Sequence, residues 1–241
     1  MQCFRLSHAG LVLELAEGDD RASLFVDPGD FSDARELETA LASAAPVAAV
    51  VITHEHTDHW TPQSIGAIRD AAPDAPIYTT AATAAALQSA GIHGALVVHE
   101  NDRMHAGPFV LDFYGRRHEV LHSSVPVIDN IGVHVNGALA WGGDSLVRPP
   151  FQADLLGVPI GSPWSNISQV LDFVLNTAAP RVFLTHDGML SDRGLALFAD
   201  RVRGALGQHG GELLEIPRLD EDPAARIDLG PTPIAALTRH D

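Results

Sequence analysis

Short apolar runs broken by turn residues fill the first part of the chain. Residues 2–6, 11–15 and 22–26 read as strands, with Gly18, Asp19 and Asp20 turning the chain between the second and third. The period then lengthens. Residues 33–43 read as a helix, followed by Val47–Ile52, a β-branched run of the kind carried by a strand buried on both faces. Thr61-Pro62 marks a helix start, with Thr as N-cap and Pro at the first helical position. Ile77–Thr79, Ala81–Ser89 and residues 96–98 continue the alternation of strand and helix. Phe109–Tyr114, Gly132–Val135 and residues 138–141 return to strands. A helix over 166–176, a strand over 181–184 and a helix over 193–206 follow. Strand blocks and helix blocks recur in both halves. That pattern suits two sheets packed face to face with helices outside, better than one doubly wound parallel sheet.

Composition narrows the function classes. The 241 residues are 46% hydrophobic and 19% charged, enough to bury a sizeable core. Fifteen basic residues, all Arg, oppose 31 acidic ones, a net charge of −16. A chain this acidic lacks the basic footprint of a nucleic-acid binder and offers nothing to an anionic membrane surface. The single Cys, Cys3, excludes a disulfide framework and a Cys-based metal cluster. No apolar run nears the roughly 18 residues of a spanning helix, and the first residues carry no signal-peptide pattern. A cytoplasmic globular protein is expected.

The chemistry concentrates in one segment, Thr53-His54-Glu55-His56-Thr57-Asp58-His59-Trp60, between the buried run and the helix start. His54, His56, Asp58 and His59 offer imidazole nitrogen and carboxylate oxygen, which suit Zn²⁺ and similar divalent ions. In a turn, His54 and His56 can face one point while Asp58 and His59 reach a second. The spacing is not the helical H-E-x-x-H. With 13 His in the chain a solvated His-rich loop is the bland alternative, but a strand–loop–helix setting supplies the rigidity that a site needs.

These four residues match in full the H-x-H-x-D-H motif, and the chain resembles the metallo-β-lactamase superfamily. Phe25-Val26-Asp27-Pro28-Gly29, Gly142-Gly143-Asp144-Ser145 and Phe183-Leu184-Thr185-His186 resemble further family segments. Leu6-Ser7-His8-Ala9-Gly10 and residues 159–164 resemble the branch that includes the ascorbate-6-phosphate lactonase. The resemblance implies an α/β, four-layer αβ/βα sandwich formed by residues 1–241 as one domain, with up to two metal ions at one edge. It assigns one ion to His54, His56 and a mid-chain His, and the second to Asp58, His59 and His186, with Asp144 bridging both. The mid-chain ligand is His118 or His122, with His118 preferred because it closely follows the strand Phe109–Tyr114. Asp27 fits a supporting role behind a metal-bound His. The branch resemblance places His8 near the pocket, and His8, Trp60 and Trp164 are candidate substrate walls by position near the motifs and aromatic area. His93, His99, His105, His134, His209 and His240 have no motif context and read as surface or structural.

The function that follows is metal-assisted hydrolysis of a small-molecule ester, lactone or related bond. Two divalent ions sharing an aspartate, with Zn the default and Mn, Fe or Ni able to take the same ligands, would supply a metal-bound hydroxide. Asp58 is the candidate to handle the proton passed to the leaving group. Two other readings use the same fold. One is a phosphodiesterase or nuclease, disfavoured by the acidic charge and missing basic patch. The other is a mononuclear-iron persulfide dioxygenase, whose ligand set overlaps this one. No Lys or Arg motif for clamping a phosphate is visible.

Overall fold

The computed structural model describes residues 1–17, 20–219, 222 and 226–230; Gly18 and Asp19 of the expected turn, and His240, lie outside them. β1 (Gln2–Arg5), β2 (Leu11–Glu17) and β3 (Asp20–Val26) pair antiparallel in succession. β4 (Val47–Ile52), β5 (Ile77–Thr79) and β6 (Leu96–Val97) extend the sheet from β3 in parallel. The parallel pairings need crossovers, which α1 (Ala34–Ser43), α2 (Pro62–Ala71) and α3 (Ala81–Ser89) supply. The second sheet has the same logic. β7 (Arg103–Ala106), β8 (Phe109–Tyr114), β9 (Gly132–Val135) and β10 (Leu139–Trp141) run antiparallel. β11 (Leu155–Pro159), β12 (Arg181–Thr185) and β13 (Glu212–Leu213) continue in parallel, linked by α4 (Ile167–Thr177) and α5 (Asp192–Leu206). β14 (Ile227–Asp228) pairs with β1 at the outer edge of the first sheet.

Both sheets are buried on both faces. Along β2, Leu11 and Leu13 face the space between the sheets, where they meet Phe109, Leu111, Val133, Trp141 and Phe183. Val12, between them, points the other way, into a layer shared with Leu37 of α1, Ile65 and Ile68 of α2 and Leu87 of α3. On the second sheet Leu155 and Phe183 face inward, while Leu156, Val158 and Val182 pack under α4 and α5 with Val170 and Val202. The strands therefore read as near-continuous apolar runs, and the four-layer αβ/βα sandwich expected from the sequence is the observed architecture. Among the described residues no helix is long and apolar enough to cross a membrane.

The helix starts follow their capping chemistry. Thr61 accepts from the Ser64 amide while Ser64 bonds back, a closed capping box with Pro62 at the first helical position. Asn166 and Gln169 do the same for α4. β7, β11, β13 and β14 were not expected. β11 contains Gly157 and Pro159, which weaken a strand reading. A Cβ on Gly157 would lie 3.0 Å from the Trp141 ring and 3.2 Å from Phe183, so glycine is what lets the two rings close over the strand.

The turn after β3 couples the fold to the loop after β4. A Cβ on Gly29 would sit 1.8 Å from the Asp58 carbonyl oxygen and 2.5 Å from the His59 nitrogen, both backbone atoms. Gly29→Ala must therefore displace the 58–59 backbone and is expected to cost about 1–3 kcal/mol. At Gly66, inside α2, an added Cβ meets nothing. Gly66→Ala is expected to stabilise by about 0.5–1 kcal/mol through helix propensity. Thermal unfolding followed by circular dichroism checks both; equal effects of the two substitutions would contradict this packing.

Candidate metal centre

The site lies where chain segments leave one edge of both sheets. Thr53 to Trp60 span the gap from β4 to α2; His8 follows β1, His118 follows β8, Asp144 follows β10 and His186 follows β12. Several of these turns use unusual backbone. Asp27, His8 and His186 have φ values of 49°, 63° and 60°, the left-handed region that residues other than Gly seldom enter. They are held there by cross-bracing. The His8 carbonyl accepts from the Arg5 guanidinium (2.9 Å), the His186 amide (3.1 Å) and the Thr185 hydroxyl (3.2 Å). Arg5 also makes a buried two-pronged pair with Asp187, at 2.8 and 3.2 Å. The turn that presents Asp144 is fixed by Asn130, which donates to the Gly142 carbonyl (2.8 Å) and accepts from the Asp144 amide (3.1 Å). Gly143 has φ +60°, and a Cβ there would lie 2.6 Å from both Asn130 Oδ1 and Thr53 Oγ1.

Four imidazoles converge on the Asp144 carboxylate. Their Nε2 atoms lie at 3.1 Å (His59), 3.1 Å (His186), 3.3 Å (His118) and 3.9 Å (His54). The opposite ring nitrogens define what those Nε2 atoms are. His118 Nδ1 is 2.7 Å from the Glu119 carbonyl, which only accepts, so Nδ1 carries the hydrogen. His59 Nδ1 lies 3.0 Å from Asp27 Oδ2 and donates to it. The Thr53 hydroxyl donates to Asp27 (2.9 Å) and so receives His54 Nδ1–H at 3.0 Å. The Ser162 hydroxyl points at the Ile160 carbonyl (3.5 Å) and receives His186 Nδ1–H at 3.1 Å. In their neutral forms all four rings thus turn an Nε2 lone pair toward Asp144. Ligating histidines need this arrangement, with the far N–H anchored on a carboxylate, carbonyl or hydroxyl.

The ligand atoms fall into two groups, each within 4.8 Å: His54, His56, His118 and Asp144, and Asp58, His59, Asp144 and His186. The chemistry of the donor set fits divalent ions. Among the described residues His59 Nε2, His118 Nε2, His186 Nε2 and Asp144 Oδ1 are buried with no hydrogen-bond partner, an expensive arrangement that a cation relieves. The surrounding acids demand positive charge there. Burial opposes protonation of His59, yet Asp144 and Asp27 push its pKa well above the usual histidine value. Burial likewise opposes protonation of His186, but Asp144 and Asp58 raise it to about 9. His54 goes the other way: burial and the neighbouring His59 hold it well below the ordinary value. Burial would raise Asp144, but His59 and His186 keep it far below the usual carboxylate range.

Of the two mid-chain histidines, His118 is at this cluster; His122 is exposed and bonded to Ser124 (2.7 Å). Trp164 lines the cleft above the cluster and donates from Nε1 to Asp144 Oδ2 (3.1 Å). His8 and Trp60 are not walls. His8 is 0% exposed, stacked on Phe31 and packed against the tilted ring of His186. Its Nδ1 accepts from the Gly188 amide (3.0 Å), leaving Nε2–H to donate to Asp58 Oδ2 (3.2 Å). Trp60 packs into the layer under α1 and α2, where its large apolar area outweighs its nearness in sequence to the motif. Asp27 supports His59, as expected. His134 is stacked on Phe151 at 3.7 Å, away from the centre. Thr53, Asn130 and Ser162 were not anticipated; only Thr53, next to the motif, carried a signal.

No protein-family model matches the chain. Protein Rv0786c of Mycobacterium tuberculosis is 30% identical over 203 residues, covering 82% of this chain and 91% of its own. Three solved structures share the fold. The metallo-β-lactamase fold protein YhfI from Bacillus subtilis aligns with TM-score 0.59 and 18% identity over 88% of this chain and 94% of its own. An isothiocyanate hydrolase from Delia radicum gut bacteria aligns with TM-score 0.59 and 18% identity over 95% and 99%. CmlA, a diiron β-hydroxylase from Streptomyces venezuelae, gives TM-score 0.67 and 13% identity over 89% of this chain and 53% of its own. The chain has the metallo-β-lactamase fold and belongs to the family of Protein Rv0786c.

Proposed function

We propose that this protein is a metal-dependent hydrolase acting on an ester, lactone or related bond of a small molecule. One observation carries the reading: two donor groups share Asp144 at the floor of a cleft, and the four rings facing Asp144 are held in the ligating tautomer. His54, His56 and His118 would hold one ion and Asp58, His59 and His186 the other, with Asp144 between them. When bound, such ions activate water at neutral pH and polarise the oxygen of the bond to be cleaved.

The chain's own groups do the rest. Asp58 lines the cleft, and its side chain is 23% exposed. Burial would raise its pKa, but the facing His186 ring and the hydrogen bond from His8 keep it far below the usual carboxylate range, so it is ionised at neutral pH. So acidic a carboxylate is a weak resting base; its part is to accept a hydrogen bond from the attacking water and to relay that proton to the far more basic leaving alkoxide. His8, locked as the Nε2–H tautomer by the Gly188 amide, holds Asp58 in place. Trp164 closes the cleft over Asp144 and excludes water from that side. The net charge of −16 and a cleft lined, among the described residues, by no Arg favour a small molecule over a nucleic acid.

Protein loaded in turn with zinc, manganese, iron or nickel should be tested on lactones, carboxylic esters, phosphodiesters and β-lactams. Turnover of lactones or esters that a chelator abolishes is expected. Turnover of phosphodiesters alone, or oxygen uptake without hydrolysis, would overturn the proposal. Ser162→Ala removes the acceptor that orients His186, and is expected to weaken metal binding about 10–100-fold while the fold survives. Competition with a chromophoric chelator reads this out; unchanged affinity would mean that Ser162 does not position the ring.

A further inference from the structure

We infer that the molecule bound beside the metal centre has no anionic group on its distal part and carries a short apolar group, held between the loop following His118 and the Trp164–Met189 side of the cleft. The inference rests on the hydrolase reading only for its floor, the cluster of proposed ligands.

The cleft has a volume of about 240 Å³ and a sharp division of chemistry. His56, Asp58, His118, Asp144 and His186 form its polar floor. Above them Leu121, Val125 and Ile128 form one wall, and Pro163, Trp164 and Met189 the other. The first wall belongs to a loop closed at its base by the His118 amide donating to the Ile128 carbonyl at 3.1 Å. Leu121, Val125 and Met189 are 47%, 43% and 51% exposed. A single exposed Leu or Met is unremarkable. Three around the mouth of one cleft, with more apolar surface behind them, form a patch that loses contact with water only when something apolar enters.

Charge points the same way. Among the described residues no Arg lines the cleft, and the chain has no Lys, so a carboxylate or phosphate on the distal part of a ligand would find no counter-ion there. Arg5, which braces His8, is committed to Asp187. Apart from the proposed ligands, the charged residue lining the cleft is Glu119, also an anion. Its Oε1 accepts from the Leu146 amide at 3.3 Å. A charged tail would therefore be desolvated among Leu, Val, Pro and Met, a cost without compensation for an anion. The cleft is smaller than the roughly 300–1,000 Å³ usual for drug-sized ligands, which limits the apolar group to a few carbons.

The probes are alkyl hydroxamates, whose metal-chelating head is constant and whose tail varies, added to the zinc-loaded protein. Binding is followed by intrinsic tryptophan fluorescence, to which Trp164 in the cleft lining contributes beside the buried Trp60 and Trp141. From acetohydroxamate to butano- and hexanohydroxamate, affinity should rise about two- to fourfold per added methylene. A six-carbon hydroxamate ending in carboxylate should bind at least tenfold more weakly than hexanohydroxamate. Leu121→Asn, at an exposed loop position, should flatten the dependence on tail length. A flat series for the unaltered protein, tighter binding of the carboxylate tail, or no binding of any member would overturn the inference. Binding needs no turnover, so the hydrolase reading fails separately: a rising series without hydrolysis of any ester or lactone keeps the apolar ligand and removes the reaction.

Discussion

A buried carboxylate faced by imidazole lone pairs is the constraint around which this protein is built. Asp144 is 2% exposed, and three of the ring nitrogens facing it have no hydrogen-bond partner among the described residues. Negative charge and lone pairs packed together repel unless a cation or protons lie between them. Each ring also spends its other nitrogen on an acceptor that forbids turning round: Asp27 for His59, Thr53 for His54, the Glu119 carbonyl for His118 and Ser162 for His186. Preorganisation of this kind costs stability in the bare chain and is recovered when a positive ion binds.

The sandwich supplies the stiffness that this arrangement requires. Donors come from turns on both sheets, so the sheets must be locked at that edge. Trp141 of β10 donates from its indole to Asp27 at the end of β3 (2.8 Å), and the Ile131 amide donates to the Thr53 carbonyl (2.9 Å). Arg5 and Asp187 form a third tie between β1 and the turn after β12. Asp27 thus serves two ends at once, joining the sheets and orienting His59. The left-handed backbone at Asp27, His8 and His186 lies within the same braced region, where surrounding contacts hold conformations that an isolated turn would abandon.

Much of this was legible in the chain, for reasons that differ by residue. His54, His56, Asp58 and His59 are adjacent, so local spacing alone brings them together. Their strand–loop–helix setting followed from the apolar run of β4 and the Thr61-Pro62 cap. Asp144 and His186 were recoverable only by resemblance, since nothing local distinguishes a strand-end ligand from a turn residue. The supports were hidden: Asn130 and Ser162 act across 14 and 24 residues of sequence, and their side chains are common in any loop. His8 and Trp60 show the opposite failure. Proximity to a motif suggested a wall, whereas His8 is tucked behind Asp58 and Trp60 is covered by a helical layer. β11 was obscured by Gly157 and Pro159; the glycine makes sense only once the Trp141 and Phe183 rings are placed over it.

The most direct measurement of the two-ion centre is anomalous X-ray scattering from crystals of the zinc-loaded protein. Two peaks per chain are expected. One should lie within coordinating distance, about 2.0–2.2 Å, of His54, His56 and His118, the other of Asp58, His59 and His186, with Asp144 reaching both. A single peak, or two peaks with the Asp144 carboxylate turned away from either, would contradict a centre organised on this shared aspartate.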